Sequence, residues 1–131
     1  MTGRTEVQTG RRGRVLVAED DPAMRAVIMR ILGGAGFEVD AVPDGAAALQ
    51  RLDHVEAPYD LMVCDVVMPE LNGLDLVATV RERGEEPRVV FLSGAVVPAL
   101  GDEPDRIGSD VVLAKPFGPQ QLLDAVAEAM A

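Results

Sequence analysis

The chain contains no tryptophan, one tyrosine and three phenylalanines, so its core has to be packed from aliphatic side chains. A single cysteine, Cys64, excludes an intrachain disulfide and suits a reducing compartment. One histidine, His54, leaves no second imidazole to share a metal, and it is expected as a solvated loop side chain. No apolar run approaches the ~20 residues of a membrane span, and no signal peptide opens the chain, so a cytoplasmic protein without membrane contact is expected. Positive charge is also scarce: Lys115 is the only lysine, and the net charge is −10. Arg4, Arg11, Arg12 and Arg14 against Glu6 make residues 1–14 +3, which leaves −13 for the rest. A nucleic-acid face on that acidic part is not expected.

What is present is enough for one domain with one sizeable core: 131 residues, nearly half of them apolar. Residues 1–13 are Gly, Thr and Arg without apolar periodicity and read as a flexible tail or linker. Residues 14–131 read as the domain.

The organising stretch is Asp60-Leu-Met-Val-Cys-Asp65 followed by Val-Val-Met-Pro69. A short apolar run ending in turn residues predicts a strand buried on both faces, with Asp65 at its carboxyl end. Before it, Arg14–Glu19 predicts a strand ending in the acids Glu19, Asp20 and Asp21. Asp21 suits an N-cap and Pro22 a first helical position for a helix to about Leu32, stopped by Gly33, Gly34 and Gly36. Its stripe of Met24, Val27, Ile28, Ile31 and Leu32 should face the core. Ala23, Ala26 and Met29 lie outside the stripe and suit either a partner-docking face or ordinary exposed positions.

Phe37–Val42 alternates like an edge strand, and Asp44 can cap a short helix over Gly45–Leu52. After the Asp65 strand a helix is expected from about Asn72 to Arg83. Arg88–Ser93 is a strand ending on a hydroxyl, and Val111–Lys115 is a strand ending on the lysine. Pro119–Met130 closes the chain as an amphipathic helix with Leu122, Leu123, Val126 and Met130 inward. Between Ser93 and Val111, Pro98, Gly101, Pro104 and Gly108 argue for a short, broken or mobile fourth helix. Five strand–helix alternations predict a doubly wound parallel α/β sheet with right-handed crossovers.

In such a sheet the strand ends open on one edge, which gathers Glu19 and Asp20, Asp65, Ser93 and Lys115. Carboxylates crowded there repel unless a cation neutralises them. Oxygen ligands without His or Cys favour a hard ion, Mg²⁺ before Zn²⁺. Lys115 and Ser93 can hold phosphoryl oxygens, and Asp65 is the natural nucleophile, giving an acyl phosphate.

These motifs resemble those of the response-regulator receiver domain of two-component signalling, over residues 14–130: Glu19-Asp20-Asp21, Asp65-Val-Val-Met-Pro69 with Asn72-Gly73, Ser93-Gly-Ala95 and Lys115-Pro-Phe117. The resemblance implies a flavodoxin-like three-layer sandwich with a five-stranded parallel sheet in order 2-1-3-4-5. It implies Asp65 as phospho-acceptor, Ser93 as switch hydroxyl and Lys115 as phosphoryl contact. Aligned by Met24-Arg25, Asp20 would bind Mg²⁺ directly and Glu19 through water, with the backbone carbonyl of Val67 completing the set. The pair Asp20 with Asp21 stays open. A cis bond before Pro116 is implied by the family, whereas trans is the default from sequence.

The implied partner is a histidine kinase or histidine phosphotransfer domain, met through Ala23, Ala26 and Met29. One departure is Val112, which stands where the family carries its switch aromatic. With the broken fourth-helix region, it speaks against a dimer built on the family's helix 4, strand 5 and helix 5. The implied chemistry is self-phosphorylation from a donor and self-dephosphorylation, not enzymatic turnover. A stand-alone receiver and a C-terminal receiver of a hybrid histidine kinase both fit, the latter better.

Three other readings stand beside it. A docking-only receiver would have lost the site, which is intact here. A Mg²⁺-dependent phosphatase of haloacid-dehalogenase type would want an acid at Val67 and a cap domain. A flavodoxin-like cofactor module would want a phosphate cradle after the first strand, where Glu19-Asp20-Asp21 stands.

Overall fold

The interior strands are runs of aliphatic residues because each has a helical layer on both sides. In the computed structural model, which describes residues 12–54, 58–94 and 105–131, the elements follow one another as β1 (Arg14–Ala18), α1 (Pro22–Gly34), β2 (Glu38–Val42), α2 (Gly45–Asp53), β3 (Leu61–Asp65), α3 (Gly73–Glu82), β4 (Arg88–Ser93), β5 (Asp105–Ile107), β6 (Asp110–Ala114) and α4 (Pro119–Met130). The sheet order is β2-β1-β3-β4-β6-β5. The first five of these pair in parallel, which is the expected 2-1-3-4-5 order.

Alternation along the strands divides the core in two. Val15, Val17, Leu61, Val63, Val90, Leu92, Val111 and Leu113 pack with Ile28 and Leu32 of α1 and Leu122 and Val126 of α4. On the other face Leu16, Met62, Cys64, Phe91 and Val112 pack with Ala48 of α2 and Leu76, Val77 and Val80 of α3. All five residues of β3 are buried, as its unbroken apolar run predicts. Fully burying one of these side chains contributes about 2 kcal/mol, so a core of aliphatics serves without tryptophan.

Several local signals act as read. Asp21 caps α1, accepting from the Ala23 N–H at 3.0 Å, and Asp44 caps α2, accepting from the Ala47 N–H at 2.7 Å. Asn72 is the cap of α3 rather than its first residue, accepting from the Asp75 N–H at 2.8 Å. Two expectations need correction. Helix α1 continues through Gly33 and Gly34, and the chain turns only at Gly36, whose φ is 102°. Val27 does not join the buried stripe but is 43% exposed, because Ile28 and Leu32 take the centre of the face with Met24 and Ile31 beside them. In α4 the buried positions are Leu122, Ala125, Val126 and Ala129, with Leu123 and Met130 at the margin.

Strand β5 was not expected from the sequence. It pairs antiparallel with β6 through a tight hairpin, Ile107 opposite Asp110, with Gly108 at φ 63° in the turn. Residues 95–104, where the broken fourth helix was expected, lie outside the described residues, as do residues 1–11 of the leader. Arg12 and Gly13 are already engaged: the Arg12 N–H donates to the Gly36 carbonyl and the Glu38 N–H to the Gly13 carbonyl. The Arg12 guanidinium stands 4.9 Å from the Phe37 ring. No helix among the described residues is long and apolar enough to cross a membrane.

Candidate functional site

Parallel pairing puts the carboxyl ends of β1, β3, β4 and β6 on one edge, and each ends in or just before a polar residue. Glu19 follows β1, Asp65 ends β3, Ser93 ends β4 and Lys115 follows β6. Glu19 is fully buried, Asp65 and Ser93 are buried, and Asp20 is exposed. The lysine Nζ donates to Glu19 Oε1 and to Asp65 Oδ2, both at 2.8 Å. Its own N–H donates to the Ser93 carbonyl at 2.7 Å, which fixes the two strand ends side by side. The Lys115–Pro116 bond is cis.

Glu19 is anchored at every polar atom. Besides the lysine on Oε1, its Oε2 accepts from the Asp21 N–H at 3.1 Å. Its own N–H donates to the Val42 carbonyl, and its carbonyl accepts from Arg25 Nη1 at 2.9 Å. Burial raises the Glu19 pKa, and the bond to Lys115 offsets this only in part; the neighbouring Asp65 charge pushes the same way as burial. For Lys115, burial works against the charged form, but the bonds to Asp65 and Glu19 outweigh it and raise the pKa. Cys64, one residue before Asp65, is pushed up to about 12 by burial and is a packed thiol without nucleophilic character.

Carboxylate oxygens of Glu19, Asp20 and Asp65 lie within 4.8 Å of one another. Asp21 is not among them, because its side chain is spent on the cap of α1. An all-oxygen set with one exposed member fits a hard divalent cation such as Mg²⁺. Glu19 and Asp20 are far from Asp65 along the chain, and placement at adjoining strand ends brings the three together.

The loop after β3 is held against Asp65 by two close approaches. The Gly73 N–H donates to the Val66 carbonyl at 2.9 Å, and a β-carbon on Gly73 would overlap the Asp65 carbonyl oxygen. Farther along, a β-carbon on Gly45 would come within 2.8 Å of the Leu71 carbonyl oxygen, so the start of α2 also seats the loop. Glu70 lies between them with φ 68°, a left-handed backbone that costs a non-glycine residue roughly 1–2 kcal/mol. Asp65 Oδ1 accepts only a long bond, 3.3 Å, from the Val67 N–H, and Val67 is 71% exposed at the rim. The motif that holds Asn72-Gly73 does not reveal the contact of Gly73 with Asp65; a small residue at a helix start is the one available signal.

Of the residues singled out, Glu19, Asp20, Asp65 and Lys115 come together directly, and Ser93 adjoins them through the Lys115 main chain. Ala23 and Ala26 are exposed on α1 and Met29 is 39% exposed. Val112 is buried in β6 opposite Phe91 of β4. The polar cluster of Arg14, Asp40, Arg51 and Tyr59 escaped notice in the sequence. Its Tyr59 hydroxyl donates to Asp40 Oδ2 at 2.6 Å, and Arg51 stands 3.1 Å from Asp40 Oδ1.

The chain matches the family model described as response regulator receiver domain over residues 15–127. It is 34% identical over 113 residues to the response regulator receiver protein CpdR of Brucella abortus, covering 86% of this chain and 92% of that one. Against the probable transcriptional regulator ycf27 of Galdieria sulphuraria it is 36% identical over 117 residues, which is 86% of this chain but 43% of that protein. Among solved structures, the receiver domain from the hybrid histidine kinase CckA superposes with a TM-score of 0.74 at 30% identity, covering 91% of this chain and all of that one. The chemotaxis protein CheY4 of Vibrio cholerae gives 0.75 at 29% identity, covering 88% of this chain and 97% of that one. With the sheet order, the acidic cluster and the lysine between two carboxylates all in place, the chain belongs to the response-regulator receiver family of two-component signalling.

Proposed function

We propose that this receiver accepts a phosphoryl group on Asp65 from a phosphohistidine of a kinase or phosphotransfer domain. A carboxylate oxygen of Asp65 attacks phosphorus, the phosphorus–nitrogen bond breaks, and its electron pair returns to the imidazole, which takes up a proton. Self-dephosphorylation reverses the acyl phosphate by attack of water on phosphorus, releasing inorganic phosphate and the carboxylate. Asp20 and Asp65 would hold Mg²⁺ directly, Glu19 through water, with the Val67 carbonyl as the remaining protein ligand. Bound there, the ion would neutralise the charge that the carboxylates and the phosphoryl oxygens share.

Lys115 supplies a donor already 2.8 Å from Asp65, within reach of a phosphoryl oxygen carried on it. Ser93 supplies a hydroxyl for another. The domain thus contributes position and charge neutralisation, while the donor contributes the reactive bond. Exposed Ala23, Ala26 and Met29 on α1 offer the apolar contact for the phosphodonor protein. Residues 14–131 form the domain and residues 1–13 its leader, working in the cytoplasm without nucleic acid. Val112 in place of an aromatic speaks for an output other than dimerisation through the β6–α4 face.

The observation that carries this reading is the single lysine bonded at once to Glu19 and Asp65 beside a three-carboxylate cluster. Intact mass after incubation with a small phosphodonor and Mg²⁺ tests it. One added phosphoryl group is expected, absent in Asp65→Asn and absent with chelator. A folded parent chain that gains no mass would leave docking as the remaining role.

A further inference from the structure

Arg25 stands on the first turns of α1, a helix fixed to the core by Ile28 and Leu32. It is half-buried, and its Nη1 donates to the Glu19 carbonyl at 2.9 Å. Among the described residues it makes no ion pair, although Asp20 and Asp21 are close in sequence. The Glu19 carbonyl lies beyond the last paired residue of β1, Ala18, so the sheet ladder does not satisfy it. A main-chain carbonyl at a buried residue needs a donor, and here a side chain from the next helix supplies it.

We infer that Arg25 is a positioning residue for the metal site: its bond to the Glu19 carbonyl fixes the turn that carries Glu19 and Asp20 toward Asp65. The bond ties α1 to the strand end at the point where the chain leaves the sheet. Without it the turn retains the Glu19 N–H bond to the Val42 carbonyl, the Asp21 cap and the carboxylate bonds of Glu19 itself, and the last of these the ion and the phosphoryl group would rearrange. The inference rests on Glu19, Asp20 and Asp65 being the ligand set.

Charge and position predict opposite outcomes, which makes the inference testable. As a cation near the acids, Arg25 opposes Mg²⁺, so its removal would tighten binding if charge were its whole effect. As an anchor it favours Mg²⁺, and groups that orient metal ligands are typically worth 10–100-fold in affinity.

The test is Mg²⁺ titration of the full chain, followed by amide nuclear magnetic resonance shifts and by calorimetry. The parent is compared with Arg25→Met, Arg25→Gln (too short to reach the carbonyl) and Arg25→Lys. Binding about tenfold weaker or more is expected for the Met and Gln variants, with most of the affinity recovered in the Lys variant. Metal-free spectra of the Met and Gln variants should show shifted Glu19 and Asp20 amides with the sheet amides unmoved. Unchanged or tighter binding in those variants, or a Lys variant as weak as they are, would overturn the role of Arg25. A parent that fails to bind Mg²⁺ would overturn the ligand set itself.

Discussion

Gly73 packs so closely on Asp65 that no β-carbon fits between the first residue of α3 and the aspartate's carbonyl oxygen. The start of one helix thereby sets the position of the strand end that carries Asp65. Gly73→Ala is expected to destabilise the domain by about 1–3 kcal/mol through overpacking. Because relief of the clash moves Asp65 or its loop, phosphorylation by a small donor should slow as well. Chemical denaturation and a mass time-course measure the two effects.

Lys115 is the cation that lets Glu19 stay buried. Lys115→Met leaves a buried carboxylate beside Asp65 without its partner, a loss of about 3 kcal/mol by comparison with broken buried pairs. Saturating Mg²⁺ should restore part of the deficit by supplying positive charge to the same carboxylates. Thermal melts with and without the ion check both statements; a variant as stable as the parent in chelator would contradict the first.

Glu70 carries the only positive φ found outside glycine among the described residues. Glu70→Gly should therefore stabilise the protein, by up to about 1 kcal/mol once the added freedom of the unfolded chain is counted. The gain should appear as a higher denaturation midpoint with an unchanged denaturant slope.

The Asp40–Tyr59 bond gives stability a pH window. Burial alone would raise the Asp40 pKa, but the Tyr59 hydroxyl and the Arg51 guanidinium outweigh it and hold it below the ordinary 3.8. That contribution is present above the unfolded value and disappears as pH falls through the lower folded one. Burial and then the bond to Asp40 raise the Tyr59 pKa above the ordinary 10.0, so the contribution of the neutral phenol is lost as pH rises through the folded value. The parent should exceed Tyr59→Phe by about 1 kcal/mol across the plateau between these limits, and the difference should shrink at both ends. Denaturation at a series of pH values gives the profile directly; a difference independent of pH would count against the bond.

Much of the fold was legible because its signals are short-range. The short apolar run at Leu61–Cys64, bounded by turn residues, reads as a strand covered on both faces, and Asp21, Asp44 and Asn72 mark helix starts by chemistry local to one turn. The acid, hydroxyl and lysine at successive strand ends were readable for the same reason, since parallel pairing brings like ends together whatever the connecting segments do. Where reading failed, two residues competed for one place. Val27 matches the helical period of the core stripe as well as its neighbours do, and only the position of α1 over the sheet exposes it. Strand β5 is three residues long and draws its order from β6, so no pattern of its own announces it.

From sequence alone came the alternation of strands and helices, the buried centre and the set of groups gathered on one edge, because these depend on periodicity and local capping. Tertiary structure decided how those groups meet. Lys115 bonds to residues 96 and 50 positions earlier in the chain, Arg25 takes the Glu19 carbonyl, Gly73 abuts Asp65, and Arg81 closes on buried Asp110 at 2.7 and 2.9 Å. The lysine contacts are fixed by how neighbouring strand ends lie side by side and the others by how helices seat on the sheet, and no pattern along the chain carries those distances.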